Sequence, residues 1–202
     1  LTGIMDNTTT SGSAELPALL RRLKGVALRT NEKWAEEIGI NPSASITCVK
    51  PSGTVSQLVD SASGIHPRYS PYYRRRVRAD IHDPLAAMLK DQGVPCEPDV
   101  TNPNAVVFSF PCKSPNGSVA EGDYTSLEIL DLWKTYQDNW CDHKPSITVH
   151  YKDDEYLAIG QWLWDNWDAV SGIAFLPYDD HTYQQAPYEA ITKEEHDVLR
   201  SS

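Results

Sequence analysis

Ser146-Ile147-Thr148-Val149-His150-Tyr151, then Tyr156, Ile159, Leu163 and Trp167 behind Asp153-Asp154, then Gly172-Ile173-Ala174-Phe175-Leu176-Pro177, decide the fold class. The outer runs are short, β-branched and apolar. The middle repeats its apolar residues at helical spacing behind an acidic cap. A strand, a helix and a strand in that order form a β-α-β unit, whose crossover makes the two strands parallel.

The same alternation extends upstream. Thr125 or Ser126 caps a helix with the apolar stripe Leu127, Leu130, Trp133, Tyr136 and Trp140. Before it lie a polar loop over 113–123 and a strand over 105–110. A helix over 83–92 has Asp83 as N-cap, Pro84 in its first turn and Gly93 as its stop. Tyr73 to Ala79 is expected as a strand, as is Ala44 to Val49, which ends at Pro51. Leu16, Leu19, Leu20, Leu23 and Ala27 mark a long amphipathic helix over 15–38, with a break expected near Thr30-Asn31. Thr192 to Glu195 opens a last helix in the style of a capping box. The expectation is therefore one α/β domain over 1–202 with a mostly parallel sheet and ligands at the carboxyl ends of its strands. The tryptophans at 133, 140, 162, 164 and 167 are read as helix-face packing.

Composition narrows the function. The charged and hydrophobic fractions, 23% and 40%, are those of a globular body, and no apolar run approaches a membrane span. The opening, Leu1-Thr2-Gly3, has no initiator Met, basic leader or cleavage signal, so the start reads as a cut. Cys48, Cys96, Cys112 and Cys141 are widely spaced with no C-x-x-C pair, which argues against a zinc site or a compact disulfide framework and for reduced thiols in a cytoplasm. The net charge of -10 hides a basic island: from Ser45 to Ala79 six cations face one acid, +5 locally, which leaves -15 for the remainder. Such an island suits a small phosphorylated ligand better than a nucleic-acid polymer.

Two segments within the island carry chemistry. Lys50-Pro51-Ser52-Gly53-Thr54-Val55-Ser56 follows the expected strand and opens a short helix. Gly53 permits close backbone approach, Ser52, Thr54 and Ser56 offer hydroxyls, and helix-start N–H groups favour an anion. Neither G-x-x-x-x-G-K-[ST] nor G-x-G-x-x-G is present. An ordinary Pro-Gly turn with a Ser/Thr cap fits the same residues equally well. The second segment is Ser63-Gly64-Ile65-His66-Pro67-Arg68 followed by Tyr72-Tyr73-Arg74-Arg75-Arg76-Val77-Arg78. Its arginines can grip phosphate, with His66, Arg68, Arg74 and Arg76 as anion or cofactor contacts. A strand with one solvated arginine face and a structural histidine is the competing reading, and alternation prevents all four strand arginines from meeting one ligand.

Cys48 to Leu58, Ser63 to Arg68 and Tyr72 to Arg78 together resemble the corresponding stretch of class II, adenosylcobalamin-dependent ribonucleotide reductases, most closely the monomeric branch acting on ribonucleoside triphosphates. Leu1 to Asn7, Gly172 to Tyr178 and Gln185-Ala186-Pro187-Tyr188-Glu189 extend that resemblance over the whole chain in the family's order.

The resemblance implies the carboxyl-terminal half of a ten-stranded α/β barrel and reduction of ribonucleoside triphosphates by a cysteine thiyl radical generated with adenosylcobalamin. It implies a thioredoxin-type reductant, a deoxynucleotide effector bound elsewhere in a longer chain, no nucleic-acid or membrane partner, and a location in the cytoplasm, a host's if phage-encoded. It assigns substrate phosphate to Ser52, Gly53, Thr54 and Val55, with Ser56 just behind. The family's Asn-Pro-Cys-x-Glu segment is missing, since Asn41-Pro42 precedes Ser43 and Asn102-Pro103 precedes Asn104. The late cysteine pair is missing too, as Cys141 is the last cysteine. No catalytic residue and no metal ligand is therefore assigned here, and the isolated piece is expected to be inactive. A non-catalytic nucleotide-binding or regulatory module is the alternative. A phosphotransferase ranks below both, for want of an Mg2+ ligand pattern.

Overall fold

The computed structural model describes residues 1–178 and 183–201. In chain order these form α1 (Leu16–Ile38), α2 (Val55–Leu58), β1 (Tyr72–Asp80), α3 (Pro84–Asp91), β2 (Cys96–Pro98), β3 (Ala105–Lys113), α4 (Ser126–Asn139), β4 (Thr148–Tyr151), α5 (Tyr156–Asp165), β5 (Ala174–Pro177), β6 (Tyr188–Ala190) and α6 (Lys193–Ser201). They fall into two compact units, one of residues 1–68 with 117–178 and one of 69–116 with the described residues from 183 onward.

The first unit is built on the β-α-β segment. β4 and β5 pair in parallel, from Thr148 opposite Ala174 to Tyr151 opposite Pro177, with α5 as the crossover. Beside them α4 buries Ile129, Leu130, Leu132, Trp133 and Tyr136 against Leu16 and Leu20 of α1, Met5, Ile65 and Val149. Its two large polar aromatics are satisfied: Trp133 Nε1 donates to the Pro145 carbonyl (2.7 Å) and the Tyr136 hydroxyl to the Thr10 carbonyl (2.9 Å). The Thr125 hydroxyl accepts the Glu128 N–H while the Glu128 carboxylate accepts the Thr125 N–H, which closes a capping box at the start of α4.

Three expectations for this unit need correcting. α1 runs unbroken through Thr30-Asn31, because the Asn31 amide is engaged by the backbone of Ser43 rather than by its own helix. Residues 44–49 form no strand. Their backbone is held by Asp142 instead, whose carboxylate accepts the N–H groups of Ile46 and Thr47 and the Thr47 hydroxyl. Trp164 and Trp167 are exposed, so packing within this unit accounts for Trp133, Trp140 and Trp162, of which Trp133 and Trp162 meet edge to face, but not for them.

The second unit corrects the expectation of a mostly parallel sheet. Its four strands lie in the order β2-β3-β1-β6, and every neighbour is antiparallel. For the β2–β3 pair the cause is local turn chemistry. The buried Asp99 carboxylate accepts the N–H groups of Thr101 and Asn102 and the Thr101 hydroxyl, folding β2 back onto β3 as a hairpin. α3 begins as expected, with the Asp83 carboxylate accepting the Leu85 N–H. Ala86, Val106 and Phe108 form this unit's own small core.

Candidate functional site

The loop over 50–56 lies in the first unit, and its conformation is set by serine hydroxyls. The Ser52 hydroxyl accepts the Ser56 N–H (2.9 Å), and the buried Ser56 hydroxyl donates back to the Ser52 carbonyl. Ser52 is thus the side chain that caps α2; Thr54, at the N-cap position, makes no side-chain cap bond. Gly53, Thr54 and Val55 are exposed, and among the described residues no hydrogen bond engages their N–H groups. A Cβ added at Gly53 would meet nothing within 4 Å. Among the described residues, three consecutive N–H groups and the Thr54 hydroxyl are thus without partners, while the Ser56 side chain is buried and supports the turn.

The segment over 60–68 packs directly behind this loop. One Ser63 hydroxyl serves both backbone groups of Ser52, accepting its N–H (2.7 Å) and donating to its carbonyl (3.1 Å). Gly64 has φ +60°, and a Cβ there would fall 2.7 Å from the Lys50 carbonyl oxygen. His66 is tied at both ring nitrogens: Nε2 accepts the Thr148 N–H (3.1 Å), which leaves Nδ1–H to donate to the Ser63 carbonyl (3.1 Å). Burial lowers its pKa below the ordinary histidine value, consistent with a neutral ring that must accept at Nε2.

Arg68 is buried within the same segment. Its guanidinium donates to both Asp6 carboxylate oxygens (2.7 and 3.0 Å), to the Asp60 carboxylate (3.0 Å) and to the Asp60 carbonyl (2.8 Å). The Asp6 carboxylate also accepts the Ala62 N–H (2.7 Å). Arg68 therefore fastens 60–64 to the chain's beginning by a bidentate ion pair.

Arg74 and Arg76 stand on β1, in the second unit. Arg76 donates to the Glu189 carboxylate and to the Ala186 carbonyl (3.1 Å). Arg74, directly opposite Glu189 in the ladder, approaches that carboxylate at 3.9 Å. Arg78 meets Asp99 at 2.6 Å, and the Thr101 contacts, followed by Arg78, hold the Asp99 carboxyl well below the usual carboxylate range. The alternating arginines thus face a row of carboxylates, although the Nε groups of Arg74 and Arg76 are buried without a hydrogen-bond partner.

A feature the sequence did not mark lies at the carboxyl end of β4. A cavity of about 210 Å³ is lined by His66, Glu121, Ser126, His150, Lys152 and Tyr178 among others. Glu121 and His150 approach to 3.3 Å, and this contact raises the His150 pKa. The pair is 29 residues apart, and Glu121 sits in a stretch that reads as plain surface loop, so no spacing motif announces it. Cys141 is buried, and that burial pushes its thiol up to about 11, as expected of a cysteine acting as a small apolar residue. Among the described residues no cluster of three or more metal-ligating side chains occurs, and no helix is long and apolar enough to cross a membrane.

No protein-family model matches the chain. Curated proteins do. The adenosylcobalamin-dependent ribonucleoside-triphosphate reductase of Lactobacillus gasseri is 31% identical over 188 residues, 90% of this chain and 25% of that protein. The protein of the same description from Euglena gracilis is 32% identical over 200 residues, 98% of this chain and 27% of that one. A crystal structure of a B12-dependent (class II) ribonucleotide reductase superposes with a TM-score of 0.86 at 27% identity, over 94% of this chain and 27% of the other. The chain is homologous to one segment of these reductases. It spans about a quarter of the length of the curated relatives it matches. The match to the Euglena reductase covers nearly the whole chain, so the loop over 50–56 and the arginine strand both lie within it. The α/β class agrees with the superposition.

Proposed function

We propose that this chain is the part of an adenosylcobalamin-dependent ribonucleoside-triphosphate reductase that holds the substrate's phosphates. The observation that carries this reading is the run of N–H groups at Gly53, Thr54 and Val55, unpaired among the described residues, beside the Thr54 hydroxyl. Such donors, fixed by a short turn and free of internal acceptors, suit phosphate oxygens. Ser52 and Ser56 keep the turn in shape by bonding each other. In the same reading β4 and β5 are two strands of the ten-stranded barrel of the complete enzyme, and residues 1–202 belong to its carboxyl-terminal half. The complete enzyme works in the cytoplasm with a thioredoxin-type reductant and is regulated by a deoxynucleotide bound outside this segment.

Adenosylcobalamin supplies, when bound to the complete enzyme, the cobalt–carbon homolysis that begins the radical reaction. The cavity beside His66, about 210 Å³, does not fit it, being smaller than pockets for drug-sized ligands, which run from about 300 Å³. No residue of this chain is assigned to the cofactor, and none to the radical step. What these residues contribute is binding and orientation of the triphosphate.

The test is deoxynucleotide formation from ribonucleoside triphosphates by the intact polypeptide that carries this segment, with adenosylcobalamin and a dithiol reductant. Cofactor-dependent product, reduced at least tenfold in kcat/KM by Thr54→Ala combined with Gly53→Val, is expected. No product under any effector, with nucleotide binding intact, would replace this reading by a non-catalytic nucleotide-binding module.

A further inference from the structure

We infer that Ser63 and Gly64 are positioning residues for the phosphate loop, and that they tie its shape to strand β4 through His66. This rests on the phosphate reading of the loop. A phosphate cradle made of backbone N–H groups works only if the peptides that carry them are held in one conformation before the ligand arrives. The loop is short, exposed and followed by a helix of only four residues, so its own helical hydrogen bonds cannot hold it.

The missing constraint comes from the segment behind it. Ser52 is the residue just before the three unpaired N–H groups, and the Ser63 hydroxyl satisfies both its N–H and its carbonyl. With the Ser52 N–H taken by the Ser63 hydroxyl and its carbonyl shared by the Ser63 and Ser56 hydroxyls, both of its peptide planes are fixed and the following N–H groups are left for a ligand. Gly64 brings backbone against backbone at Lys50, at a distance that admits no Cβ. Its own N–H donates to the Thr2 hydroxyl (3.0 Å), and its carbonyl accepts the Ile4 N–H (3.3 Å), so it cannot recede. Ser63 is in turn held from the far side. Its carbonyl accepts both the backbone N–H (3.0 Å) and the Nδ1–H of His66, while His66 Nε2 takes the Thr148 N–H at the start of β4. The path from a parallel strand to the loop therefore runs Thr148, His66, Ser63, Ser52 through hydrogen bonds alone.

The test compares Ser63→Ala, Ser63→Thr and Gly53→Val in the intact polypeptide, titrating a ribonucleoside triphosphate, inorganic tripolyphosphate and the matching nucleoside. Ser63→Ala is expected to weaken triphosphate and tripolyphosphate binding about fivefold, the effect of losing one hydrogen-bonding hydroxyl. Nucleoside affinity stays unchanged, and kcat at saturating substrate stays within twofold. Ser63→Thr, which keeps the oxygen, restores binding. Amide exchange of 52–56 accelerates in Ser63→Ala while exchange in α4 does not, which separates loosening of the loop from loss of the fold. Wild-type phosphate affinity in Ser63→Ala, alongside loss in Gly53→Val, would overturn the positioning role and leave the phosphate loop standing. Equal losses for triphosphate and nucleoside would overturn it too, by showing a general defect. Wild-type affinity in Gly53→Val would remove the phosphate reading itself.

Discussion

The loop over 50–56 and the arginine strand β1 both offer donors to an anion, yet they stand in opposite states. The loop carries little formal charge, only Lys50, but its N–H groups at 53–55 have no internal acceptor among the described residues. The strand has arginines at 74, 75, 76 and 78, and Arg76 and Arg78 each meet a carboxylate, Glu189 or Asp99, within hydrogen-bond distance. Arg68 repeats the pattern in the first unit with Asp6 and Asp60. Counting cations located the basic island but not its available donors. An anion site is defined by groups left unsatisfied, whereas a paired arginine must first be released from its carboxylate.

Three perturbations probe this difference, in order of expected size. Arg68→Met should be the most damaging, because it strands a mostly buried Asp6 carboxylate; a loss of about 3 kcal/mol in unfolding free energy is expected from denaturant titration of the intact protein. An unchanged midpoint would mean that the ion pair does not fasten 60–64. Arg76→Gln should cost about 1–2 kcal/mol, for the Glu189 pair is partly solvated, and should alter triphosphate affinity less than twofold. A tenfold loss of affinity there would erase the contrast between strand and loop.

The smallest effect is a pair of titrations by NMR. His66, lowered by burial, should protonate below the ordinary value of about 6.5, and His150, raised by Glu121, above it. Linkage gives their contributions opposite signs. The neutral His66 adds stability that is present above its unfolded pKa and is lost as pH falls toward its lowered folded pKa. The His150–Glu121 contact adds stability that is present below the unfolded pKa and is lost as pH rises through the raised one. Glu121→Gln should bring His150 down, and an unmoved His150 would show that Glu121 is not what raises it.

Much of the fold could be read because its signals are local. The Asp83 cap, the cap at Thr125 and the Thr192–Glu195 box each lie within three residues of their partners, and the β4-α5-β5 unit shows in the periodicity of each of its elements. Antiparallel pairing in the second unit could not be read, since alternation along Tyr72–Asp80 is the same whichever way its neighbour runs, and that neighbour is Ala105–Lys113. The β-branched run over 44–49 has strand composition, but its backbone is bonded by the carboxylate and N–H of Asp142, 95 residues beyond Thr47, rather than by a strand. Both motifs of the candidate site were visible, and their relation was not. Nothing in the sequence says that the Ser63 hydroxyl lies under Ser52, or that His66 and Arg68 act on the loop from behind.

In the proposed reading, unpaired backbone donors rather than arginine charge hold the substrate's phosphates. Calorimetric titration of a ribonucleoside triphosphate and its nucleoside into the intact wild-type protein, Gly53→Val and Arg76→Gln tests it most directly. Side chains at 53 have room in the loop, so Gly53→Val should fold normally, bind nucleoside as before and lose triphosphate affinity by at least tenfold, while Arg76→Gln binds both like wild type. Retained triphosphate affinity in Gly53→Val together with its loss in Arg76→Gln would contradict the account and move the phosphates to the strand.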